Sequence, residues 1–336
     1  MNDTLGRPLR DLRISVTDRC NFRCSYCMPL DHYEWVRRSR ILRFEEIRRL
    51  AAVFAALGVS RLRLTGGEPL VRAEIEDLVA MLAALPDIED LGLTTNGALL
   101  GRLAGPLREA GLHRLNISLD TVREETFRRI TRRGDFHDVM SGLMAARDAG
   151  FEEVKINAVI RRGVNDEEVL EILDFARENR FQARFIEYMD VGNANHWVSE
   201  GLVPGAEILA AIAAEHPLKA AVREDPRAPA AEYRFKDGSG SVGVIASVTA
   251  PFCGACSRAR LTAEGTLVTC LFAAAGFDLR GLLRGGATDQ EIADAIRGVW
   301  SRRVDRYSEE RCEAMKSETG YDPAGRDKIE MIRLGG

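Results

Sequence analysis

The sequence predicts an α/β fold, an incomplete six-unit (β/α)6 barrel followed by a C-terminal α+β domain. Three observations predict it. From residue 11 to about 190, β-rich runs alternate with helical stretches about every thirty residues, a rhythm of parallel strands joined by right-handed crossovers. Beyond Gly192 that rhythm stops. Six of the seven cysteines form two trios, one in each of these regions.

The strands are expected at 12–17, 61–65, 91–95, 114–119, 154–160 and 183–189, each a short β-branched or leucine-rich run. Helices are expected at 44–57, 75–85, 99–110, 136–149 and 167–178. Six units are too few for a full eight-stranded barrel. Later in the chain, 225–229 has the composition of a linker and Lys236-Asp237-Gly238-Ser239-Gly240 that of a hairpin turn. A second turn is expected at Ala263-Glu264-Gly265-Thr266 and a helix at 289–302. The expected division is 1–220 for the partial barrel and 221–336 for the C-terminal domain.

Parallel α/β barrels carry their sites at the carboxyl ends of the strands. There the sequence has Asp18 and the first cysteines, Gly66-Gly67-Glu68-Pro69, Thr94-Thr95-Asn96-Gly97, Ser118-Leu119-Asp120, Lys155 with Asn157, and Glu187-Tyr188-Met189-Asp190. Polar residues converging from every strand predict one site. Lys155 stands in an apolar run, where a buried ammonium is costly unless an anion meets it.

Composition narrows the function. Hydrophobic content of 46% and charged content of 29% are those of an ordinary globular protein. A net charge of −4 argues against a broad nucleic-acid surface. No apolar stretch is long enough to span a bilayer, and Met1-Asn2-Asp3-Thr4 does not begin a secretory signal. A cytoplasmic protein is expected, without nucleic-acid or membrane partners. Arginine outnumbers lysine 42 to 5, so arginine alone marks nothing.

Cys20, Cys24 and Cys27 follow a C-x3-C-x2-C spacing. In a reducing compartment clustered cysteines ligate metal more often than they pair. Three thiolates suit a [4Fe–4S] cluster with one iron left open for a small molecule. The second trio, Cys253, Cys256 and Cys270, also lacks a nearby fourth cysteine and suits a second such cluster. Zinc is the rival at both trios; His32 would complete a Cys3His site at the first. Cys312 is left over as an unligated thiol.

C-x3-C-x2-C followed by Gly66-Gly67-Glu68-Pro69 resembles the radical S-adenosylmethionine superfamily. Residues 12–20, Leu-Arg-Ile-Ser-Val-Thr-Asp-Arg-Cys, narrow the resemblance to the GTP 3′,8-cyclases of molybdenum-cofactor biosynthesis. So do the second trio, Asp305-Arg306-Tyr307-Ser308 and the terminal Gly335-Gly336. The resemblance implies two [4Fe–4S] clusters and S-adenosylmethionine, whose one-electron cleavage gives methionine and a 5′-deoxyadenosyl radical. It implies removal of hydrogen from C3′ of GTP and addition of that carbon to guanine C8.

By the same resemblance Tyr26 meets the cofactor's adenine, and Gly66–Pro69 offers backbone acceptors to its ammonium. Gly67, Ser118 and Met189 are its further contacts. Arg13, Arg63, Thr94, Lys155, Arg258 and Arg260 are implied for GTP, with the guanine on the second cluster. Gly335 and Gly336 are implied to thread into the site. Ser257 departs from the asparagine expected after Cys256 and removes no ligand. Implied partners are a flavodoxin- or ferredoxin-type electron donor, cyclic pyranopterin monophosphate synthase as the next enzyme, and a second copy in a homodimer. A radical maturase acting on a peptide and a non-enzymatic metal-cluster sensor are the alternatives.

Overall fold

The structure is a computed structural model of the 336-residue chain and describes every residue except 31, 152, 224, 318–320 and 336. Six strands, β1 (Asp11–Ser15), β2 (Arg61–Thr65), β3 (Asp90–Thr95), β4 (Arg114–Ser118), β5 (Glu153–Ile160) and β6 (Gln182–Glu187), lie side by side in chain order. Each is parallel to the next. Between them run α1 (Phe44–Ala56), α2 (Ile75–Ala83), α3 (Leu100–Glu109), α4 (Glu124–Thr131), α5 (Phe136–Asp148) and α6 (Val169–Glu178).

Every strand expected in this half is present, and so are the five expected helices. The helix α4 was not expected; it has only eight residues, and its apolar stripe is little more than Phe127 and Ile130. The strands have two different faces. Leu12, Ile14, Leu62, Leu64, Leu91, Leu93, Leu115, Ile117, Ile156 and Phe185 are buried in the main core with helix residues such as Ile47, Leu50 and Phe54. The alternate positions, Arg13, Arg63, Asn116, Lys155 and Arg184, point to the opposite side.

Beyond α6 come α7 (Gly205–Glu215), β7 (Leu218–Ala220), β8 (Ala231–Phe235), β9 (Ser241–Ile245), β10 (Arg258–Leu261), β11 (Thr266–Val268) and β12 (Phe277–Asp278). Four helices follow, α8 (Leu279–Arg284), α9 (Asp289–Ser301), α10 (Tyr307–Lys316) and α11 (Met331–Leu334). The expected turns at 236–240 and 263–266 join β8 to β9 and β10 to β11, both antiparallel pairs. The expected helix at 289–302 is α9, opened by a Thr288–Glu291 capping box.

These C-terminal strands do not form a separate sheet. β9 pairs parallel with β6, and β10 pairs parallel with β1, giving one sheet in the order β12-β11-β10-β1-β2-β3-β4-β5-β6-β9-β8-β7. Both open edges of the six-strand array are thereby covered. The register places Asp11 opposite Arg258 and Arg13 opposite Arg260. Cys256 therefore precedes the start of β10, whereas Cys20 follows the end of β1. Because β11 runs antiparallel to β10, Cys270 returns to the Cys256 end. At about 3.3 Å per residue, the five residues of β1 separate the trios by roughly 16 Å along the strand direction.

Glu187 ties β6 to the C-terminal segment. Its fully buried carboxylate accepts from the backbone N–H groups of Gly205 (2.7 Å), Val248 (2.7 Å) and Thr249 (2.9 Å). Glu187→Ala orphans all three donors and is expected to cost about 3 kcal/mol, measured as a fall in urea midpoint at unchanged slope. A shift under about 0.5 kcal/mol would show that water replaces the carboxylate.

Candidate active site

The sheet curls around a cavity of about 450 Å³, lined from β1 to β6 and from β10, with both cysteine trios on its wall. The volume is that of a small-molecule site.

The first trio sits on a loop held from two sides, by α4 and by the Gly67–Glu68 segment. Arg23 and Ser25 donate backbone hydrogen bonds to Thr131 O and Ile130 O, both at 2.9 Å, so the end of α4 carries the loop. Phe22 packs edge-on against Phe127 of α4, with ring centres 5.8 Å apart. Gly67 and Glu68 donate their N–H groups to Thr17 O and Arg19 O, at 2.8 Å each, just ahead of Cys20. A Cβ on Gly67 would lie 2.4 Å from Arg19 O and 2.8 Å from Asp18 O, so only glycine fits. Burial pushes the Cys20 and Cys27 thiols up to about 12, and Cys24 is raised too.

Tyr26 donates from its hydroxyl to Asp120 Oδ2 at 2.8 Å, and Val159 N–H donates to Asp120 Oδ1 at 2.8 Å. Glu68 is buried and accepts from Leu70 N–H (3.0 Å), Thr95 Oγ1 (2.7 Å) and Asn96 N–H (2.7 Å); burial raises it to about 7. Asp18 accepts from Val36 N–H at 2.6 Å. These rim carboxylates brace the loops. Ser118 and Met189 line the cavity beside them.

A row of cations stands deeper. Strand register sets Arg260, Arg13 and Arg63 side by side, and Arg114 follows across Gly92, which has no side chain. Neither Arg13 nor Arg63 has a hydrogen-bond or ion-pair partner among the described residues. Burial first, and then neighbouring arginines, lower Arg13; burial lowers Arg63 to about 10. Thr94 and Lys155 flank Asn116 at the next level. Lys155 pairs with Glu153, so an anion within the chain already meets the buried ammonium. Burial therefore does not by itself call for a ligand; Lys155 does line the cavity. Arg61, Arg114 and Arg184 also line the cavity and were not singled out in the sequence. Polar residues at every second position of otherwise apolar parallel strands were the signal.

At the far end, Cys256 Sγ accepts from Arg258 Nη2 and Arg303 Nη2, both at 3.3 Å. Despite burial, these guanidiniums hold its thiol down at about 6, whereas burial pushes Cys270 up to about 12. Arg7, also missed in the sequence, donates to Cys253 O at 2.9 Å and Asp305 O at 2.7 Å. Ser257 is buried and donates its hydroxyl to Asp11. His32 is exposed and does not line the cavity, and no three His, Cys, Asp or Glu side chains among the described residues are placed to hold one metal ion. Cys312, on α10, is not among the cavity-lining residues.

The tail reaches this cavity. Gly335 is buried with φ +72°, and its carbonyl accepts from Arg260 Nη1 at 2.5 Å. A Cβ there would lie 2.4 Å from Thr65 Cγ2. Gly336 lies outside the described residues.

The radical SAM superfamily pattern matches residues 14–176, and the Molybdenum Cofactor Synthesis C pattern matches 181–309. Proteins named GTP 3′,8-cyclase are similar along the whole chain. That of Acidothermus cellulolyticus is 50% identical, covering 100% of this chain and 99% of the relative. Those of Xanthomonas axonopodis pv. citri and Staphylococcus haemolyticus are 44% and 41% identical at the same coverage. The chain belongs to the GTP 3′,8-cyclase family. Membership in the radical SAM superfamily implies a [4Fe–4S] cluster and S-adenosylmethionine. A crystal structure of Streptococcus suis SuiB bound to S-adenosylmethionine shares the fold, with TM-score 0.62 and 16% identity over 93% of this chain and 71% of that one. No helix among the described residues is long and apolar enough to cross a membrane.

Gly67→Ala tests the tight approach of the glycine motif to the cysteine loop. It is expected to weaken S-adenosylmethionine binding about tenfold by calorimetry on anaerobic protein. Undiminished affinity would show that the loop yields without consequence.

Proposed function

We propose that the chain converts GTP to (8S)-3′,8-cyclo-7,8-dihydroguanosine 5′-triphosphate, the first step of molybdenum-cofactor biosynthesis. The observation that carries this reading is one cavity with a cysteine trio at each end and a row of arginines between, of which Arg13 and Arg63 have no hydrogen-bond or ion-pair partner among the described residues. GTP carries about four negative charges, and guanidinium forks match phosphate oxygens. Arg13, Arg63, Lys155, Arg258 and Arg260, with Thr94 and the added Arg61 and Arg184, hold the nucleotide along this wall.

Cys20, Cys24 and Cys27 hold the cluster that takes S-adenosylmethionine, and Cys253, Cys256 and Cys270 hold a second [4Fe–4S] cluster facing the guanine. When bound, the reduced first cluster and S-adenosylmethionine supply methionine and a 5′-deoxyadenosyl radical as hydrogen acceptor. Tyr26, Gly67, Ser118 and Met189 hold that cofactor at the Cys20 end. The chain's remaining task is to fix ribose C3′ near it, with guanine C8 within bonding reach, and to exclude water. Gly335 closes the wall beside Arg260, and Gly336 is assigned to the same task. One electron and one proton complete the purine, so the product is an isomer of GTP.

The fold is an incomplete six-unit barrel at 1–220, with 221–336 as the region that bears the second cluster and closes both edges. A flavodoxin- or ferredoxin-type donor, cyclic pyranopterin monophosphate synthase and a second copy of the chain are its partners in the cytoplasm.

The decisive assay is anaerobic incubation with GTP, S-adenosylmethionine and a reductant. NMR is needed because the mass does not change: the product should lose its C3′ proton and gain a saturated C8. Formation of 5′-deoxyadenosine with unaltered GTP would refute the reading. Burial lowers Lys155 to about 8, so its charge is present below that pH and lost above it. For GTP, kcat/KM is expected to fall as pH rises through about 8, and Lys155→Arg should remove that limb. An identical limb in the variant would assign it to another group.

A further inference from the structure

Asp190 follows Met189 on the loop leaving β6, and its carboxylate is 1% exposed. Four side chains donate to it: Tyr307 Oη at 2.6 Å, Lys328 Nζ at 2.7 Å, Tyr321 Oη and Arg311 Nη1. Arg311 and Lys328 are as deeply buried as their partner. Lys328 Nζ also donates to Asp190 O and Pro323 O, both at 3.0 Å. Asn193, on the same loop, accepts from Lys328 N–H at 3.0 Å and donates to Lys328 O at 2.6 Å. The loop after β6 and residues 321–330 are thus fastened together by side chains from both.

An apolar group accompanies this clasp. Val191, Phe272 and Tyr307 form a small buried cluster, with Met189, Cys270, Leu271, Tyr321 and Met331 packed on it. The rings of Phe272 and Tyr307 stack 4.3 Å apart. Tyr307, which donates to Asp190, therefore shares one packing unit with the cofactor contact Met189, the second-trio Cys270 and the tail residue Met331. From Met331, α11 delivers Gly335 to Arg260.

We propose that Asp190 is a positioning residue that clasps the C-terminal segment over the cavity, so that seating of the tail and binding of S-adenosylmethionine at Met189 favour each other. The proposal rests on the assignment of this cavity to S-adenosylmethionine and GTP. Breaking the clasp leaves two buried cations without their carboxylate, which frees the segment. Because coupling between sites is reciprocal, the cofactor then loses affinity as the tail loses its place.

The test uses the full chain, anaerobically reconstituted, as wild type, Asp190→Asn and Lys328→Met. Trypsin cleavage after Arg326 and Arg333 is followed by mass spectrometry with and without S-adenosylmethionine. Wild type should be protected by the cofactor; Asp190→Asn should be cut about tenfold faster, with that protection lost, and Lys328→Met should move the same way by less. Iron content should stay at the wild-type level, while cyclised nucleotide formed per 5′-deoxyadenosine falls. Wild-type cleavage rates, or cofactor protection retained in both variants, overturn the proposal. Where Asp190→Asn does not fold, Lys328→Met decides by the same readouts. Proteolysis needs no GTP, so it still decides if wild type forms no cyclised nucleotide, an outcome that refutes only the GTP reading.

Discussion

The parallel pairing of β10 with β1 is the constraint on which the site depends. Had β10 paired antiparallel, Cys256 would stand at the Cys20 end and the trios would crowd one rim. In the observed register Arg258 opposes Asp11 and Arg260 opposes Arg13, so the same pairing sends the second trio to the far end and adds two arginines to the wall. One strand thus sets the length of the cavity and much of its charge.

That charge is an imbalance kept within the fold. Burial first, and then Arg260, Arg63 and Arg258, lower Arg13, against which Asp11 acts as a counter-charge; burial and then Arg258 lower Arg260. Buried like charges oppose folding, and a polyanion that neutralises them stabilises the folded state by mass action. The Gly335 carbonyl meets part of this demand by accepting from Arg260. Gly335 is thereby held against an arginine of the cavity wall.

Much of this was legible in the sequence. The six strands and five of their helices follow from hydrophobic period, and the trios from spacing. The short β7 and β12 carry no readable period, and their place follows from edges that only the folded sheet presents. Arg61, Arg114 and Arg184 were hidden because arginine is abundant, though their alternation with buried leucine, isoleucine and phenylalanine was present to be read. Glu68, Asp120, Glu187 and Asp190 were read by position as polar residues of one rim. Folded, each uses its oxygens on donors within the chain, a role that no motif announces. The helix α4 was too short to stand out, yet it holds the first cysteine loop.

The most direct measurement is electron paramagnetic resonance of the reduced Cys20→Ser/Cys24→Ser/Cys27→Ser variant, titrated with GTP. The account predicts about four irons per chain at the remaining trio and a signal that shifts as GTP binds. Zinc in place of iron, or an iron–sulfur signal indifferent to GTP, would contradict it.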